Sequence, residues 1–325
     1  MKRRNKLSHL LMSHNRLKNV CAAAVLLCGF QQAVHAQYEP MFTQYMFNES
    51  FINPAYVGSH ESLAASALYR DQWTGMDGAP KTQTLSIHGP VSRKRLGLGL
   101  SVMNESIGVS KQLAIYGNFA WRMIMPTSTL SFGLQGGFVN DEERFTQVHT
   151  IMQGDNQFAS DVKKLFLPNA GFGVYFYKEK FYAGLSIPRL LENKVDPLNP
   201  DQPSRTFGNL KRWHYYLATG VVKELNEGLK VKPSIMIKLV QNAPVELDAN
   251  LNFLIHDFLW IGAAYRTADA VAGLIGVQLS KQLRFGYSYD YTLTGLQEFN
   301  TGSHEFTLSY DFLPDKNHPV SPRYF

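Results

Sequence analysis

Cysteine is nearly absent. The two that occur, Cys21 and Cys28, both fall in the first 36 residues. Nothing after residue 36 can therefore form a disulfide, act as a thiol nucleophile or hold a metal through thiolate. Long apolar runs are missing as well: no stretch after residue 36 approaches the ~18 residues of a membrane helix. That excludes a helical membrane protein but not a β-barrel, whose alternating strands escape hydropathy averaging. Excess charge is also confined to the start. Of the 32 Lys+Arg, six (Lys2, Arg3, Arg4, Lys6, Arg16 and Lys18) lie in the first 36 residues, where there is no Asp or Glu, and the 26 that remain equal the 26 Asp+Glu. The net charge of +6 belongs to the leader and gives no argument for nucleic acid.

Catalytic signatures are missing too. There is no G-x-S-x-G, no P-loop and no HExxH, and His88, His214, His256 and His304 show no i,i+4 pairing. Gly154-Asp155-Asn156 with Asp161 lacks the central Gly and terminal Glu of a calcium loop and reads as a solvated acidic loop. Asn48-Glu49-Ser50 and Asn104-Glu105-Ser106 match N-x-S, a tripeptide common by chance. No enzyme activity, cofactor or metal is expected.

What is present begins with an export signal. A basic start precedes an apolar core, Val20 to Phe30, that is too short to span hydrocarbon; Val34-His35-Ala36 then offers a cleavage site, so residues 1–36 read as a secretory signal peptide. A membrane anchor is excluded by that length. A lipoprotein site at Cys28 is disfavoured because Leu27 is large where a small residue is usual.

Period-2 alternation then runs through the rest of the chain. Leu96, Leu98, Leu100 and Val102 alternate with Gly97, Gly99 and Ser101; Val245, Leu247, Ala249, Leu251 and Phe253 alternate with Glu246, Asp248, Asn250 and Asn252. Fourteen strands are predicted, near 62–70, 82–88, 95–103, 111–123, 128–139, 169–177, 180–187, 213–222, 229–240, 244–254, 258–266, 269–280, 282–291 and 303–312. Tight joins such as Lys178-Glu179 and Ile255-His256-Asp257 alternate with long ones at 71–81, 140–168, 188–212 and 292–302. An even strand number with loops sorted by length predicts an all-β transmembrane outer-membrane barrel of about 14 antiparallel strands, with short periplasmic turns, longer extracellular loops and both termini in the periplasm. A soluble sandwich has no reason to sort its loops. Tyr175, Phe176, Tyr177, Phe181, Tyr182 and Trp121 are expected at the membrane–water interface, or in part as cross-strand packing pairs.

With a turn at 241–243, Lys238 faces Glu246 and Lys232 faces Asn252, a candidate lumen charge pair on a wall of mixed sign. Selective pores need rings of one sign. Residues 37–60 precede the first strand, and 313–325 follow the barrel of 61–312 as a tail expected in the periplasm. In the opening stretch Phe42, Tyr45 and Met46 fit an i, i+3, i+4 helical face, and Pro54 stops a helix and biases Asn53 to extended geometry before an extended exit into the first strand. Phe42, Tyr45, Phe47, Asn53, Pro54 and Tyr56 are the candidate residues of a periplasmic, plug-like segment: either rings filling the lumen or a contact surface for partners.

"QYMFN" followed by "INPAY" resembles the N-terminal signature of the PorP/SprF family of outer-membrane proteins. "LGLGLSVMNESIG" at 96–108, "PNAGFGVYFYKEKFYAGLSIPRLLEN" at 168–193, "SHEFTLSYDF" at 303–312 and the closing "SPRYF" are similar to that family too. Glu49-Ser50-Phe51 departs from it, since similar proteins tend to have a proline and aliphatics there. The resemblance implies a non-enzymatic component of the type IX secretion system of Bacteroidetes, located in the cell outer membrane. Such proteins act in assembly, cargo docking, secretion, surface attachment or gliding motility. It implies as partners other secretion components, cargo C-terminal domains and outer-membrane lipid. The alternative is an outer-membrane channel or porin-like transporter for small solutes.

Overall fold

The computed structural model describes residues 40–312 apart from 61, 92–94, 145–160, 197–198, 208–212 and 242. The signal peptide, the tail at 313–325 and the acidic loop at 154–156 lie outside the described residues.

The wall is a single antiparallel sheet. Its strands are β1 (Ala64–Asp71), β2 (Lys81–Val91), β3 (Leu96–Ile107), β4 (Ser110–Ile124), β5 (Thr129–Glu143), β6 (Val162–Tyr177), β7 (Phe181–Ile187), β10 (Tyr215–Val221), β11 (Lys223–Asn226), β12 (Leu229–Leu239), β13 (Glu246–Ile255), β14 (Leu259–Arg266), β15 (Ala270–Gln278), β16 (Leu283–Thr292) and β17 (Ser303–Asp311). Each pairs with its neighbours in chain order, β1 pairs with β17, and β7 continues through β10 to β12, which closes the ring. β10 and β11 are halves of one stave, so the wall has fourteen, each matching one predicted strand. Closure gives every stave a partner on either side, the condition for a sheet in lipid.

The split stave has a local cause. Pairing with β12 runs to Gly220↔Ser234 and resumes at Lys223↔Val231. It lapses opposite Pro233, which has no N–H to give. A further hairpin, β8 (Leu191–Asp196) with β9 (Asn199–Phe207), forms a separate two-stranded sheet beside β6, in a join read from sequence as loop alone. The turn Ile255-His256-Asp257-Phe258 is tight because His256 and Asp257 take φ of 52° and 54°, the backbone of a two-residue hairpin.

The alternation sorts as lipid and lumen require. Leu85, Leu98, Leu100, Leu134, Leu251 and Ile275 are exposed outward, whereas Thr84, Ser101, Gln135, Asn250 and Ser288 are buried inward. The aromatics near the Lys178-Glu179 turn need a correction. Phe176 and Phe181 face outward, but Tyr175, Tyr177 and Tyr182 point into the lumen and are buried there. Adjacent residues of a strand cannot share a face. Trp121 is outward and exposed, stacked on Phe132 at 6.0 Å.

Candidate functional site

The lumen is occupied by the protein's own chain. Between Pro40 and His60 the backbone makes a 3-10 turn (Tyr45–Phe47), an α-helical turn (Glu49–Ile52) and a second 3-10 turn (Pro54–Tyr56). The second 3-10 turn replaces the extended exit expected from sequence. Asn53 is extended, as the following proline dictates, but its side-chain oxygen accepts the Ala55 N–H at 2.9 Å and starts the new turn at Pro54. The departure Glu49-Ser50-Phe51 lies in the α-helical turn.

The segment carries few charges and is buried almost throughout. Tyr45 is 0% exposed and Tyr56 6%, while Phe47 is half-buried. Phe42, Tyr45, Met46 and Ile52 pack on Met103, Ala114, Tyr116 and Met236 of the wall; Ala55 and Tyr56 pack on Tyr175, Tyr177 and Tyr182. Beside Phe42, Phe51 and Met236 there remains a cavity of about 40 Å³. That holds a few waters and is far short of a solute path.

Near the long loops a charge cluster grips the start of the segment. Lys238 meets Glu246 at 2.5 Å and Asp248 at 3.3 Å, and Arg266 meets Asp248 at 2.7 Å and Asp269 at 3.0 Å. Arg70 donates to Asp290 at 2.8 Å, to Glu305 at 3.0 Å and to Thr43 Oγ1 at 3.1 Å. Glu305 also accepts the backbone N–H groups of Thr43 and Gln44, at 3.0 and 2.7 Å, and Thr43 Oγ1 donates to Asp290 at 2.6 Å. The free N–H groups at the head of the first turn thus meet a carboxylate, the strong form of such a bond. The cluster mixes three cations with five carboxylates, so it is not a ring of one sign among the described residues.

Midway, Tyr45 donates to Ser234 at 3.2 Å, Asn48 to Thr84 at 3.2 Å, and Ser186 to the Ile52 carbonyl at 2.6 Å. Burial pushes the Glu49 carboxyl up to about 7, with the Lys232 ammonium pulling it the other way. At the short-turn end Tyr56 and His60 share a hydrogen bond of 2.9 Å, His60 meets Asp311 at 3.0 Å, and the Gly58 N–H donates to His88 Nδ1 at 3.3 Å. Glycines on the inner face let the segment approach at backbone distance. A Cβ at Gly97 would stand 2.1 Å from the Val57 carbonyl oxygen, and one at Gly133 2.1 Å from Ala55 N.

The structure therefore brings Phe42, Tyr45, Phe47, Asn53, Pro54 and Tyr56 together in the lumen, with the pair Lys238–Glu246 beside their N-terminal end. Sequence reasoning missed Arg70, Arg266, Asp290 and Glu305. Their one signal was a charge at an inward position of a strand.

A closed, outwardly apolar barrel whose lumen is filled by its own N-terminal segment is the form of an outer-membrane protein. The type IX secretion system membrane protein PorP/SprF family matches residues 34–310, and the chain belongs to that family. It is a type IX secretion membrane component. No curated protein matches the chain. Among solved structures it is similar to the toluene transporter TbuX of Ralstonia pickettii (9% identity, 80% of this chain and 92% of that one, TM-score 0.48). It is also similar to Omp33 of Acinetobacter baumannii (6%, 78% and 98%, 0.45) and to a FadL homologue of Pseudomonas aeruginosa (12%, 85% and 95%, 0.45).

Proposed function

We propose that this protein is a non-enzymatic docking or assembly element of the secretion machine and not a solute pore. The observation that carries the reading is the occupied lumen. Pro40–His60 is hydrogen-bonded to the wall from Glu305 at one mouth to Asp311 at the other, and the cavities beside it among the described residues are small, about 40 and 30 Å³. Short turns face the periplasm and long loops the cell exterior, as in bacterial barrels generally, which puts Pro40 at the outer mouth and not in the periplasm where the sequence placed the start of the segment. Contacts with other secretion components and with cargo C-terminal domains then fall to the loops and turns, and the rings of the N-terminal segment serve as a plug.

The test has two arms. Purified barrel in a planar bilayer should pass no steady porin-like current. Outer membranes solubilised in mild detergent should yield secretion components with it, and deletion should impair cargo secretion. Steady conductance with normal secretion would establish the transport reading instead.

A further inference from the structure

The N-terminal segment runs through the lumen in the sense opposite to β1. Pro40 lies beside Pro188 and Arg189, at the long-loop mouth; His60 binds Asp311 at the short-turn mouth, where β1 begins. To arrive there after the barrel had closed, the chain would have to thread a lumen that its own side chains fill. Against a sheet still open between β1 and β17 it meets no obstacle and simply lies on the inner face.

The contacts sit where such an order of events needs them. The seam that closes the barrel is the pairing of β1 with β17, Ala64↔Asp311 to Asp71↔His304. At one end of it Thr43 touches both sides: its N–H and hydroxyl go to Glu305 on β17 and Asp290 on β16, and its Oγ1 accepts from Arg70 on β1. At the other end His60 holds Asp311, the last residue of β17, while Gly58 reaches His88 on β2. Between these two clamps the segment rests against Gly97 on β3, Gly133 on β5 and Gly173 on β6, on the remaining wall. One short stretch thus touches both free edges of the unclosed sheet and much of its middle.

We propose that residues 40–60 are a closure template: the segment seats on the open sheet first, and β1 and β17 meet around it. This goes beyond the docking reading, and its readout is refolding of the purified chain, with no secretion or conductance involved.

Two cysteine pairs report the order of events in full-length chain carrying Cys21→Ser and Cys28→Ser. Asn48→Cys with Thr84→Cys reports seating, since those side chains touch at 3.2 Å. Ala67→Cys with Leu308→Cys, directly opposed across the seam, reports closure. During refolding from urea into detergent micelles, the seating disulfide should be trapped no later than the seam disulfide. Glu305→Gln, which removes the charge from two backbone bonds and an ion pair, should slow the seam disulfide about tenfold. Asp248→Asn, a carboxylate of the same cluster away from the seam, should change it less than twofold. Should Glu305→Gln fail to refold, Thr43→Val, which removes only the hydroxyl links, should slow closure about threefold. A seam disulfide that forms well before the seating one, or equal slowing by Glu305→Gln and Asp248→Asn, would overturn the proposal.

Discussion

The side chain of Asn53 lies so close to the backbone of Gly173 that a Cβ at position 173 would stand 2.0 Å from Asn53 Oδ1. The same asparagine donates to the Val174 carbonyl at 3.0 Å, so it has no freedom to retreat. Gly173→Ala should therefore destabilise the plugged barrel by about 1–3 kcal/mol, the cost of overpacking. Gly136→Ala, where nothing lies within 4 Å, should change stability little. Urea midpoints of the two variants, read from the unheated gel band, provide the comparison.

Lys238 neutralises two buried carboxylates. Lys238→Met leaves Glu246 and Asp248 to Arg266 alone, and breaking such a buried set from one side costs about 3–5 kcal/mol. Adding Glu246→Leu to it should recover part of the loss. If the double variant is the less stable of the two in urea, Glu246 draws its stabilisation from elsewhere.

Leu251 and Asn250 are neighbours on opposite faces, 43% and 5% exposed. Leu251→Arg puts a cation in lipid and should cost about 2–4 kcal/mol near the bilayer midplane. From sequence alone, an arginine at the lumen position 250 should be much milder. The filled lumen changes that expectation: Asn250 lies near Tyr45, so Asn250→Arg should displace the segment. The outcome to record is raised conductance in a planar bilayer for Asn250→Arg and a lowered urea midpoint for Leu251→Arg.

Glu49 supplies a pH dependence. Its carboxyl is raised by burial to about 7, so between its ordinary value near 4.5 and that pH the folded protein holds a proton that the unfolded chain releases. Stability from this group is therefore greatest below about pH 4.5, falls as pH rises to about 7 and is level above. Glu49→Gln should flatten that slope, read as urea midpoints between pH 4.5 and pH 7. A parent slope of the opposite sign would show that the Lys232 charge outweighs burial.

The wall was legible because lipid imposes one rule on every strand. A strand with apolar residues on one face and small or polar ones on the other keeps its alternation however it is connected, so all fourteen staves could be read. Even the register Lys238↔Glu246 followed from one turn. The cluster around Thr43 was not legible, since Arg70 on the first strand meets Asp290 and Glu305 on the last hairpin only when the barrel closes. The inward glycines at 97, 133 and 173 read merely as the small face of a strand, because nothing local tells a vacancy that another segment fills from one left to water. Tyr175, Tyr177 and Tyr182 misled for a related reason: a cluster of rings at a turn has the composition of an interface belt, and only their alternation with Phe176 and Phe181 separates the two faces.

The glycines that admit the segment also bind two distant parts of the sequence into one inherited unit. A side chain at 173 is tolerable only where Asn53 is replaced by a slighter residue, and one at 133 meets the backbone of Pro54 and Ala55, so it is tolerable only where the segment takes another path. Exchanging residues 40–60 between members of the family should thus fail more often than exchanging any outer loop, and succeed where the recipient's third, fifth and sixth strands travel with the graft.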